Sequence, residues 1–235
     1  MNAFYIKNGR LMKYSGNGGS VVIPNGVTKI NPETFFARGD IKSVTVPEGV
    51  TVIECNTFYC CSNLSSVTLP GSLKEIGANA FSYCSSLAGI TIPEGVTEIG
   101  YGAFRGCSRL ADAVIPESVT ELGERAFYSC SSLVNVTIPG SVNKVVCEAF
   151  GECKSLKSVT VSDGVTSIEP YAFSGCESLA VITIPDSVTD VDQSAFSNIT
   201  AEEDEICGDV FVVFGGNIYN GSNIDELYAL YDKIS

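Results

Sequence analysis

The chain contains no histidine and no tryptophan. Charged residues make up only 17% of its 235 positions, and just 14 of them are basic against 27 acidic. Each shortage removes a class of function. Without histidine there is no Ser-His or Cys-His nucleophile pair and no His-ligated metal. A net charge of −13 opposes nucleic acid, because neutralising phosphates takes clustered Lys and Arg. No apolar run approaches the roughly 18 residues that cross a bilayer, so membrane insertion is not expected. The start, MNAFYIKNGR, lacks the basic-then-apolar profile of a signal peptide. That leaves a cytoplasmic chain, or an exported one whose leader is encoded upstream.

What the sequence has in abundance is repetition. Prolines recur 23 residues apart at Pro24, Pro47, Pro70, Pro93, Pro116 and Pro139; Ser162 interrupts the column and Pro185 resumes it. Phenylalanine keeps the beat at Phe35, Phe58, Phe81, Phe104, Phe127, Phe150, Phe173 and Phe196. Cysteine does so at Cys61, Cys84, Cys107, Cys130, Cys153 and Cys176, and leucine from Leu64 to Leu179. A period held without an insertion is the signature of a solenoid. An isolated turn of this size cannot bury its apolar face, so neighbours must cover it and caps must close the ends.

One turn, Leu87 to Arg109, shows the local pattern. Ile90-Thr91-Ile92 alternates with period two and predicts a short strand with both isoleucines inward. Pro93 followed by Gly95 predicts a type I turn with proline in its second place. The spacing Ile99, Ala103, Phe104, Cys107 predicts a single helical or 3₁₀ turn. Residues 1–19 read as a β-hairpin cap turned at Asn8-Gly9, residues 20–200 as eight repeats, and residues 201–235 as a cap with a strand and a terminal helix.

The motif L-x-x-V-x-I-P-x-[GS]-V-x-x-I-x-x-x-A-F-x-x-C, displayed by Leu133, Val136, Ile138, Pro139, Val142, Ala149, Phe150 and Cys153, resembles the BspA-like class of leucine-rich repeats. The ending Tyr219-Asn220-Gly221-Ser222 also resembles the tail that follows such arrays. The resemblance implies a right-handed leucine-rich-repeat arc with a parallel sheet on one side. It further implies a secreted or cell-surface protein of the adhesion type.

Candidate sites are few. Six cysteines form one column whose side chains point the same way, so they are expected as buried free thiols acting as small hydrophobes rather than as disulfides. Cys55, Cys60, Cys147 and Cys207 lie off it. Thr45, Thr68, Thr91, Thr137, Thr160 and Thr183 form an exposed ladder, broken at Val114. A solvated strand face suits β-branched threonine, and the same flat array is also the kind that matches an ordered surface or takes a protein or glycan partner. Acidic residues in step (Glu48, Glu94, Glu117, Asp163, Asp186) read as a solvated edge, with calcium as the alternative. Asn63, Asn135, Asn198 and Asn220 match the glycosylation acceptor pattern. The expectation is a monomeric, non-catalytic interaction module without cofactor or metal. The alternative is a structural spacer or cytosolic scaffold of a longer repeat protein.

Overall fold

A computed structural model describes residues 3–199, 211–214 and 217–219. The predicted terminal helix, the acidic run Glu202–Glu205 and Cys207 lie outside them. The described chain coils into about eight stacked turns, each donating a strand to one long face and a two-residue strand to a second. On the long face the repeat strands run parallel and, where they are hydrogen-bonded, residues pair with those 23 positions on apart from one shift at Gly19, as in Val159 with Ile182 and Val136 with Val159. This register is the sequence period made physical. The same residue types meet at every step, so one solution to packing serves all turns.

Inward positions fill the interior completely. Phe35, Phe58, Phe81, Phe104, Phe127, Phe150 and Phe173 are fully buried, as are Leu64, Leu87, Leu110, Leu133 and Leu156. The phenylalanine rings form one stack from Phe35 to Phe196, with centroids 5.0–5.7 Å apart and planes within 15° of parallel. At the N-terminal end, strands Phe4–Lys7 and Arg10–Tyr14 form an antiparallel hairpin. Its turn residues Asn8 and Gly9 both have positive φ, at 50° and 72°, the geometry of a type I′ turn. Tyr14 lies 5.3 Å from Phe35 and Phe4 lies 5.0 Å from Tyr14, so the hairpin closes the stack with rings of its own. At the other end Phe211–Phe214 pairs in parallel with Val181–Ile184, and Asn217–Tyr219 returns antiparallel.

Two local expectations are corrected. No helix or 3₁₀ turn forms among the described residues. In the segment of Phe58, alternate N–H groups bond within the turn (Thr57 to Glu54, Tyr59 to Asn56, Cys61 to Phe58). The intervening ones bond the next turn's carbonyls (Asn56 to Ala78, Phe58 to Ala80, Cys60 to Ser82). Half the donors are therefore committed to the neighbour, and no run of consecutive helical bonds can form. The chain instead links tight turns through two columns of positive φ, which include Asn56, Arg125 and Glu148 in one and Cys60, Tyr83 and Glu152 in the other. The proline turn also differs. The Val96 N–H bonds the Pro93 carbonyl, so proline opens the turn rather than occupying its second place, and the Gly or Ser column sits third. There Gly26, Gly49 and Gly164 adopt φ of 87–108°, as a type II turn requires. Serine in this column donates its hydroxyl to the preceding turn instead, Ser118 to the Val96 carbonyl at 2.6 Å and Ser141 to Val119 at 2.6 Å.

Candidate functional site

The long strand face is built from side chains that the alternation turns outward. Thr45, Thr68, Thr91, Thr137, Thr160 and Thr183 are all exposed. They do not make one ladder. Thr45 pairs with Thr68, Thr91 with Val114, and Thr137 with Thr160 and then Thr183. Strand Ser66–Thr68 is not hydrogen-bonded to Gly89–Thr91, and Asp112–Val114 meets Asn135–Ile138 only at Asp112 with Asn135. Small residues explain the loosening. Gly89 and Ala88 occupy one turn, and Ala113 stands inward where its neighbours carry Ile90 and Val136.

Two shallow depressions flank this pair of strands. One, of about 330 Å³, is lined by Ser66, Gly89, Thr91, Asp112 and Val114 among others. The other, of about 230 Å³, lies between Asp112–Val114 and Asn135–Thr137. Val114 is 73% exposed, and Asn135 accepts a 2.6 Å bond from the Ser158 hydroxyl. The face therefore offers an apolar side chain beside a carboxylate, an amide and hydroxyls, around hollows too open to exclude water from a reaction.

The column cysteines sit elsewhere, sealed in the interior. Cys61, Cys84, Cys107, Cys130, Cys153 and Cys176 are fully buried and unpaired. Each thiol donates to a phenylalanine carbonyl 26 residues earlier, at 3.0–3.2 Å. They are thus more than small hydrophobes, because each caps the bend that carries the stacked ring. Burial pushes Cys107 up to about 12 and Cys84, Cys130 and Cys153 well above the ordinary thiol range. A neutral thiol is a poor nucleophile and a poor ligand. Among the described residues Cys55, Cys60 and Cys147 are the accessible ones.

Among the described residues no group of three or more His, Cys, Asp or Glu is placed to hold a metal ion. The acidic edge is partly structural. Glu48 accepts from the Gly71 and Ser72 N–H groups at 3.0 and 3.3 Å and so ties one turn to the next. On the second face Glu75, Glu98 and Glu121 stand in register. Burial and then the neighbouring Glu98 raise the pKa of Glu75.

Sequence reasoning missed a ridge on the turn edge. Phe36 stacks on Tyr59 at 5.2 Å, and Tyr59 meets Tyr83 edge-on at 5.7 Å. The Arg105 guanidinium lies over both Tyr83 and Tyr128, at 5.7 and 5.4 Å. Beside it, Arg125 pairs with Glu148 and donates to the Tyr101 hydroxyl. Phe36, Tyr59, Arg105 and Tyr128 share the column just after the stacked phenylalanines, but its residue type changes at every turn, with Ser82 between. Tyr83 and Tyr101 come from other columns, so no constant column announced the ridge.

Comparison with known proteins fits this architecture. The model of the BspA type leucine rich repeat region, in six copies, matches residues 10–134 and 120–229. The structure is similar to a leucine-rich repeat protein of T. pallidum, at 31% identity and a TM-score of 0.65 over 72% of this chain and 82% of that one. A leucine-rich repeat protein of Bacteroides ovatus shares 27% identity at 0.64, covering 80% of this chain and 57% of that one. A leucine rich cell surface protein of Faecalibacterium prausnitzii has the same fold at 23% identity and 0.52, over 92% of both chains. No curated protein matches. Among the described residues no helix is long and apolar enough to cross a membrane. The chain belongs to the BspA-type leucine-rich repeat family.

Proposed function

We propose that the chain is a non-catalytic interaction module of a secreted or cell-surface protein, binding a protein or glycan through its long strand face. The observation that carries this reading is the loosened stretch around Gly89–Thr91 and Asp112–Val114, where two hollows, the exposed Val114 and polar side chains meet. An apolar side chain beside a depression and rimmed by polar groups suits a contact surface. Support against catalysis is physical. The buried nucleophiles are protonated thiols, and the hollows are open to solvent, which weakens electrostatic catalysis.

The test is a screen of the purified chain against extracellular-matrix proteins and a glycan array, repeated with Val114→Asp and Thr137→Lys. Binding that falls about tenfold or more in both variants, with an unchanged unfolding midpoint, supports the face. Binding that ignores both substitutions moves the site elsewhere. Binding to nothing on either screen favours the spacer or scaffold reading.

A further inference from the structure

The ridge on the turn edge is the strongest unassigned feature of the molecule. Phe36, Tyr83 and Tyr101 are 46%, 39% and 38% exposed, and ring contacts join Phe36, Tyr59 and Tyr83 without a gap. Arg105 is its one cation without a carboxylate: Arg125 is paired with Glu148, whereas the Arg105 guanidinium has neither an ion pair nor a hydrogen-bond acceptor among the described residues. The hydroxyls of Tyr83 and Tyr128, the rings that hold it, also have no hydrogen-bond partner there.

We propose that this ridge is a second interaction surface, separate from the strand face, and that it takes a protein segment carrying a carboxylate beside an apolar side chain. Three observations point to that chemistry. The free donors at its centre are a guanidinium and two phenols, which complement an anionic oxygen; of the two carboxylates that act on Tyr128, Glu148 is paired with Arg125 and Glu152 has no ion pair among the described residues. Two rings flank the guanidinium, at 5.7 and 5.4 Å, and its planar fork of donors suits a charge-assisted, two-point bond to a carboxylate. The rings themselves are held by mutual contact, so little side-chain entropy is lost on binding. Tyr and Arg are the residues that most often dominate protein interfaces. A sugar fits less well, because the Phe36 and Tyr59 faces are used on each other at 8° and one face each of Tyr83 and Tyr128 lies under Arg105.

The experiment is selection of a random-peptide phage library on the intact chain, with counter-selection on Arg105→Gln. The expected peptides carry Asp or Glu next to an apolar residue and bind wild-type at least about tenfold tighter than Arg105→Gln. They weaken as salt rises, lose part of their affinity with Arg105→Lys, and are indifferent to Val114→Asp on the strand face. That indifference separates this surface from the one proposed above. Arg105→Gln should unfold at the wild-type denaturant concentration, since the guanidinium holds no buried bond. Peptides that bind wild-type and Arg105→Gln alike overturn the proposal, as does a library that yields none. Binding of a sulfated glycan through Arg105, with no peptide competing, overturns it too.

Discussion

Six identical thiols, each sealed behind a phenylalanine carbonyl, give the protein an unusual dependence on alkali. In the unfolded chain a thiol ionises near its ordinary pKa of about 8.5, whereas in the folded chain burial holds Cys107 up to about 12. Between those values the folded state keeps protons that the unfolded state gives up, so stability falls as pH rises. Below that window the contribution is complete and flat. Each such thiol removes about 1.4 kcal/mol per pH unit inside the window. The urea midpoint should be level through neutral pH and drop steeply above about pH 9, with Cys107→Ala showing a shallower drop. Alkylation of native protein at neutral pH should mark Cys55, Cys60 and Cys147 and spare the column until denaturant is added; labelling of the column in native protein would contradict its burial. The positive-φ columns carry a second residue-scale consequence. Ala37 stands at φ 54°, where an L residue costs about 1–2 kcal/mol and glycine does not. After the entropy of glycine in the unfolded chain, Ala37→Gly should raise stability by about 0.5–1 kcal/mol in chemical denaturation.

Glycine has the opposite duty on the second face. In the column Gly77, Gly100 and Gly123 an added Cβ would come within 2.9, 2.8 and 2.4 Å of the preceding turn's backbone, so these three turns approach more closely than a side chain allows, whereas Glu169 and Asp192 of the same column close the ladder with a side chain in place. The next residue of that column is Val146, and there the ladder opens: Glu121–Leu122 does not pair with Lys144–Val145. Pairing resumes beyond it, with the Glu169 N–H 2.8 Å from the Val145 carbonyl. Gly123→Ala should therefore cost about 2–3 kcal/mol through backbone overlap. Gly89 lies on the strand face with nothing within 4 Å of an added Cβ, so Gly89→Ala should be neutral or gain about 0.4–1 kcal/mol. Thermal and urea unfolding of the two variants checks the contrast. These elements also show where sequence reading stops. Parallel strands in a 23-residue register follow from columns that keep one residue type, because inward packing must repeat. The linked tight turns do not, since apolar residues three and four apart serve a helical turn equally well, and only the donors taken by the next turn decide. Val146 and Ala113 were visible as departures from their columns, but their effect depends on backbone separations that no pattern encodes. Arg105 was visible too, one period before Tyr128 in its own column, but Tyr83 comes from the adjoining column of the preceding turn, and only the coiling brings it over the same guanidinium.

At the scale of the molecule, the ring stack and the leucine and cysteine columns beside it form one uninterrupted interior from the hairpin to the last repeat. Phe127 sits mid-stack, 5.2 Å from Phe104 and 5.4 Å from Phe150. Phe127→Ala should cost about 3–5 kcal/mol, read from denaturant unfolding, because neighbours locked in register cannot collapse into the void. Phe35, covered by Tyr14, belongs with the interior positions; Phe196, at 5% exposure, is the last ring of the stack. The two ladder gaps gain meaning when placed on the whole. Between the turn of Asp112 and that of Asn135 the strand face is nearly unpaired and the second face wholly so. The Ser141 hydroxyl still reaches the Val119 carbonyl, and the turn edge is continuous through the bonds from Arg125, Phe127 and Ser129 to Cys147, Ala149 and Gly151. A beam notched on two sides at one cross-section, with its third side intact, bends about the intact side. Load applied to the ends of the solenoid should therefore concentrate at that section rather than at the one-sided gaps between Ser66–Thr68 and Gly89–Thr91 or Lys29–Ile30 and Val52–Ile53, and the strand-face hollow beside Val114 should widen or narrow with the bend.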